Sequence, residues 1–118
     1  MIALADVLEP VTFSREIGGQ MVDLVVPEEF IKDFHFTSDE HLMIIIRIIG
    51  GDAMKVRDFF EDTEGDVFRL QTVDANNQEM NDKFLLTDMH MDEGPSIRVD
   101  IDQEQALVRL ILDFKRII

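Results

Sequence analysis

The pattern of apolar and polar positions is dominated by one stretch, Leu42-Met43-Ile44-Ile45-Ile46-Arg47-Ile48-Ile49, closed by Gly50 and Gly51. Its β-branched side chains are stiff at χ1 and pack better on a pleated surface than on a helix, so it predicts a strand. A half-buried strand alternates apolar with polar. This one is apolar at both parities except at Arg47, which predicts a central strand covered on both faces.

Ahead of it, Val11, Phe13 and Ile17 alternate with Thr12, Ser14 and Glu16. Gly18 and Gly19 then supply a turn that tolerates positive φ, and Val22, Leu24 and Val26 alternate around Asp23. The pattern predicts a hairpin over 11–26. Pro27 to Phe34 reads as a short helix: proline suits a first turn, Glu28 and Glu29 meet the positive end of the helix dipole, and Phe30, Ile31 and Phe34 share one side.

After Gly51 two periods compete. With Asp52 as N-cap, Ala53, Val56 and Phe60 share a helical face, whereas Met54, Val56 and Phe60 also share strand parity; a helix over 52–61 is the preferred reading. Residues 61–66 form an acidic turn, and Val67 to Val73 a strand with Phe68 and Leu70 on one face. A turn over 74–77 follows. Lys83 to Met91 is a further strand, although Phe84 and Leu86 take one parity and Leu85, Met89 and Met91 the other. Ile97, Val99 and Ile101 alternate with Arg98, Asp100 and Asp102 as a half-buried strand does.

The stretch 103–118 has two readings. A strand puts Val108, Leu110, Leu112 and Phe114 on one face; a helix capped by Asp102 would stripe Leu107, Leu110, Ile111, Phe114 and Ile118. The short link to the preceding strand favours the strand. The sum is mainly β: a single antiparallel sandwich or barrel-like domain over 1–118, with six to seven strands and one or two short helices. Hairpin 11–26 and the strands 67–73 and 97–101 are expected to pack around 42–49.

Composition narrows the functional classes more than it names one. The formal charge of −14, from 25 acidic and 11 basic side chains, repels phosphate backbones and anionic lipid, so neither nucleic acid nor membrane is an expected partner. Cysteine is absent, which removes disulfides, thiolate metal sites and a Cys nucleophile and suits a reducing, cytoplasmic compartment. Met1 to Asp6 lacks the basic start and apolar core of a signal peptide, and no apolar run approaches the roughly 20 residues of a spanning helix.

Candidate chemistry falls away residue by residue. Asp62-Thr63-Glu64-Gly65-Asp66 opens like a calcium loop, but its glycine is two places early and the final position is Val73, which offers no carboxylate. His90 sits among Met89, Met91 and Asp92, donors that would suit copper, yet neighbours in a strand point away from it, leaving core methionines and a surface histidine. His35 and His41 share no metal-ligand spacing and fall at the ends of elements. No catalytic, cofactor-binding or metal residue is assigned, and the chain reads as non-enzymatic with no cofactor.

Arg47 is the one residue that departs from the pattern around it. Within apolar neighbours it needs either an internal carboxylate or a strand that opens there onto solvent or a subunit contact. Lys115, Arg116, Ile117 and Ile118 make an apolar and basic end beside an acidic body. They join Arg47 as a possible interface.

The closing stretch from Ser96 to Ile117, with its two alternating apolar runs, resembles the strand pairs that end small β-rich structural proteins of tailed bacteriophages, such as tail-tube and baseplate modules. The resemblance implies a subunit that assembles through sheet edges and extended ends, as a homo- or hetero-oligomer and within a virion. The expected function is therefore a structural or assembly protein acting through protein–protein contacts. An acidic inhibitor or immunity-type protein that fills a basic cleft is the alternative, because the charge would speed association with a cationic target.

Overall fold

A computed structural model of the chain describes residues 9–73, 77–95 and 106–117, with the backbone alone at 93–95 and 106. The expected strand at 97–101, the unassigned 2–8, most of the turn at 74–77 and Ile118 lie outside the described residues. The rest is mainly β: seven antiparallel strands in one sheet, one α-helix and one 3-10 turn.

The hairpin forms as its pattern predicts. Strand β1 (Val11–Ile17) pairs with β2 (Gln20–Val26) in unbroken register from Val11 opposite Val26 to Ile17 opposite Gln20. Gly18 and Gly19 take φ of 59° and 83°, the two positive angles of a type I′ turn, whose twist matches that of the strands.

The helix expected from Pro27 does not form. Only Glu28–Phe30 makes a 3-10 turn, closed by Phe30 N–H donating to the Pro27 carbonyl at 3.0 Å, and Ile31 is already extended. Strand β3 (Ile31–Phe36) follows and pairs with β4 (His41–Ile49), which puts Phe34 opposite Ile44 in the core. Pairing with the next strand, the isoleucine strand, outweighs a local helical preference of a few tenths of a kilocalorie per residue.

Helix α1 (Gly51–Phe60) does form and buries Ala53, Val56 and Phe60, the three residues of the expected face. Its cap differs: Gly50, at φ 109°, occupies the N-cap, and no side chain caps the helix. Strand β5 (Val67–Val73) places Phe68 and Leu70 inside. The next strand, β6 (Glu79–Pro95), runs 17 residues, well beyond the expected 83–91, and its register slips between Leu86 and Asp88. The slip explains the mixed parity: beyond the bulge Met89 and Met91 return to the face of Phe84 and Leu86, opposite Leu112 and Leu110. Strand β7 (Ala106–Arg116) buries Val108, Leu110, Leu112 and Phe114, which decides for strand over helix.

The strand order is β2-β1-β5-β6-β7-β4-β3. The isoleucine strand is therefore one place from an edge rather than central, and its neighbours are β3 and β7, not the hairpin or β5. Its inner residues Leu42, Ile44, Ile46 and Ile48 are buried, while Met43, Ile45 and Ile49 on the outer face are half-buried. The two end strands of the sheet are joined by only Pro27 to Phe30. A flat sheet of seven strands would part them by about 29 Å, more than the roughly 18 Å that such a link can span, so the sheet must curl over its inner face.

Inside the curl lies a cluster of phenylalanine rings. Phe114 has ring centroids of Phe68, Phe84 and Phe13 at 5.7, 6.1 and 6.3 Å, and Phe13 meets Phe60 of the helix edge-on at 5.2 Å. Arg116 lies over the rings of Phe36 and Phe84, at 5.2 and 5.3 Å from their centroids, and pairs with Asp82.

Candidate functional site

The two end strands present different edges. β2 is hydrogen-bonded to β1 on one side and, among the described strands, has no neighbour on the other. In a type I′ turn the Gln20 N–H bonds the Ile17 carbonyl, and bonding then alternates along an antiparallel pair. Gln20, Val22, Leu24 and Val26 thus commit their backbone groups to β1, while Met21, Asp23 and Val25 direct N–H and C=O away from the sheet. The side chains there are apolar and open to solvent, with Met21 59%, Val25 56% and Val22 37% exposed. Asp23 is the one charge on the strand, and among the described residues no ion pair holds it.

Beside β2 a groove of about 340 Å³ runs toward α1. Leu24, Val25 and Val56 supply apolar walls, and Asp23, Asp52 and Lys55 its charges. Asp52 already has Lys55 as a partner at 4.0 Å, so the groove carries a net negative charge through Asp23.

The opposite edge is blunted, although Phe36 at its end is 40% exposed. β3 is one residue shorter, is bulged between Ile31 and Asp33, and carries Lys32, Asp33 and His35. Lys32 Nζ donates to the Glu29 carbonyl at 3.1 Å, and His35 Nδ1 lies 3.0 Å from Asp33 Oδ1. A bulge and charges are the usual means by which an edge strand resists pairing.

The residues singled out from the sequence are not brought together. Arg47 is exposed and stands opposite Arg109 on the outer face, so it is not the buried half of an internal ion pair. Arg109 in turn reaches Asp92 at 3.9 Å. Lys115 is exposed and faces Leu85 on one side and His41 on the other. Arg116 and Ile117 are tied to the domain itself: their N–H groups donate to the carbonyls of Glu40 and Lys83 at 2.7 and 2.9 Å.

The acidic turn has a structural use. Leu86 N–H donates to the Asp66 carbonyl at 3.0 Å, and Met89 N–H reaches a Glu64 carboxylate oxygen at 3.3 Å, so the turn receives N–H groups on both sides of the bulge in β6. His90 is exposed and bonded to Asp92 at 3.1 Å, with Met89 and Met91 packed against the core on the other side. Among the described residues no group of three or more His, Asp or Glu is placed to hold a metal ion, and no helix is long and apolar enough to cross a membrane.

Met21 and Val25 are the residues that sequence reasoning missed. They share the parity of Asp23, so 20–26 is apolar on both faces, a signal present in the chain but obscured by the cleaner alternation of Val22, Leu24 and Val26. Compared with family models, with curated proteins and with solved structures, the chain matches none.

Proposed function

We propose that this chain is a non-enzymatic structural or assembly subunit that works through protein–protein contacts along the β2 edge. The observation that carries the reading is the contrast between that edge and β3: a seven-residue strand with three exposed apolar side chains, one charge and no bulge, in a chain whose other edge has both charges and a bulge. Unpaired edges of this kind template pairing with another chain unless they are blocked. Within this class, the resemblance of 96–117 to tail-tube and baseplate modules makes a phage virion component the particular form proposed.

Light scattering and sedimentation of the purified chain, alone and with proteins from its native source, test the reading. Assembly with itself or with a defined partner is expected. A strict monomer at high concentration, with no partner recovered, overturns it. The acidic-inhibitor reading rests on the charge of −14 and predicts affinity for a basic cleft that falls steeply between low and moderate salt, whereas edge pairing through backbone hydrogen bonds and apolar contact falls little.

A further inference from the structure

Resting on that reading, we infer that the β2 edge takes up an extended segment of a basic protein as an additional strand, with a Lys or Arg of the segment opposite Asp23. Strand addition supplies main-chain hydrogen bonds along the edge and lets alternate side chains set specificity. The outward groups of Met21, Asp23 and Val25 offer three donors and three acceptors at the spacing of a strand.

The side chains define the rest of the guest. Opposite Met21 and Val25, both more than half exposed, apolar residues would extend the outer face; opposite Val22 and Leu24, apolar residues would extend the inner one toward the groove beside α1. Asp23 falls between Met21 and Val25, without an ion pair among the described residues, and a directly opposite cation is the cross-strand neighbour that favours it. The same charge disfavours a second copy paired symmetrically about Asp23, which would set Asp23 against Asp23, and two bodies of charge −14 repel at longer range in any register.

The probe is a fluorescent nine-residue peptide, Lys-Thr-Val-Val-Lys-Val-Val-Thr-Lys, compared with the same peptide carrying Glu at its centre. Binding to the whole chain is followed by anisotropy. The central-Lys peptide is expected to bind one to one and about threefold or more tighter than the central-Glu peptide. Val25→Pro removes an outward N–H and leaves the bonds to β1 in place; it should weaken binding about tenfold with unchanged circular dichroism. Asp23→Lys should reverse the preference between the two peptides.

Absence of saturable binding, equal affinity for both peptides, or full binding to Val25→Pro overturns the proposal. So does a dimer of the chain that Val25→Pro dissolves, because the edge then belongs to a second copy. Assembly that survives Val25→Pro removes the β2 edge as the contact and leaves only the broader structural or assembly role standing; a chain with no assembly and no partner removes the function reading itself.

Discussion

The edges β2 and β3 belong to one sheet and lie on either side of the same four-residue link, yet they are built to opposite rules. β3 carries Lys32, Asp33 and His35, breaks register at its bulge and is followed by the polar turn 37–40. β2 leaves Met21 and Val25 open beside a single carboxylate and keeps perfect register with β1. If solubility alone had shaped the surface, both edges would be blunted, since an apolar edge invites association. In the proposed function this difference reflects a contact made along β2, and the outward backbone groups there can be altered one at a time to test it.

The largest effect should come from removing what both edges lean on. Phe114 contacts rings from β1, β5 and β6, so Phe114→Ala should cost about 3–5 kcal/mol, seen as a lower denaturant midpoint, and should loosen both edges together. Next comes a pair of prolines on one strand. Val22→Pro deletes a donor committed to β1 and should cost about 1–3 kcal/mol, while Val25→Pro should stay within about 0.5 kcal/mol of the parent. A larger loss from Val25→Pro than from Val22→Pro would mean that the outward and inward backbone groups have been exchanged.

Smaller effects mark the β3 side. Arg116→Met removes the guanidinium from over Phe36 and Phe84 and its pair with Asp82; the pair is partly exposed, so the loss should be about 1 kcal/mol, read as a lower melting temperature. Arg47→Met should change stability by no more than about 0.5 kcal/mol, because the side chain is exposed and faces Arg109 rather than a carboxylate. A loss of several kcal/mol there would restore the buried-pair reading.

What could be read from the chain follows from the range of the forces involved. The hairpin was legible because Gly18-Gly19 and the alternation on either side are local. So were β5 and the buried face of α1, whose residues recur at the period of their own element. β3 was not legible, because Pro27-Glu28-Glu29 satisfies the local rules of a helix start while the pairing that makes 31–36 a strand comes from β4. β6 showed its bulge only as a contradiction, two parities in one run, with no glycine to mark the break. The β2 edge was visible as an apolar strand but not as an edge: whether Met21 and Val25 face a neighbour depends on strand order, which no single segment encodes. Arg47 drew attention because it interrupts an apolar run, but the polarity of its partner across the strand pair could not be known before β7 was placed beside β4.

The position of β7 has a consequence for how the molecule is made. It lies between β6 and β4, and it is the contact through which the group β2-β1-β5-β6 meets the group β4-β3 in the described sheet. A ribosome releases the other six described strands first. Until β7 follows, the isoleucines of β4 and the long flank of β6 are without their shared neighbour, in a topology dominated by pairings between distant residues, which fold slowly. The nascent chain therefore passes through an interval in which β4 and β6 bear flanks that the folded sheet covers, and its yield in a cell should depend on how quickly β7 is delivered.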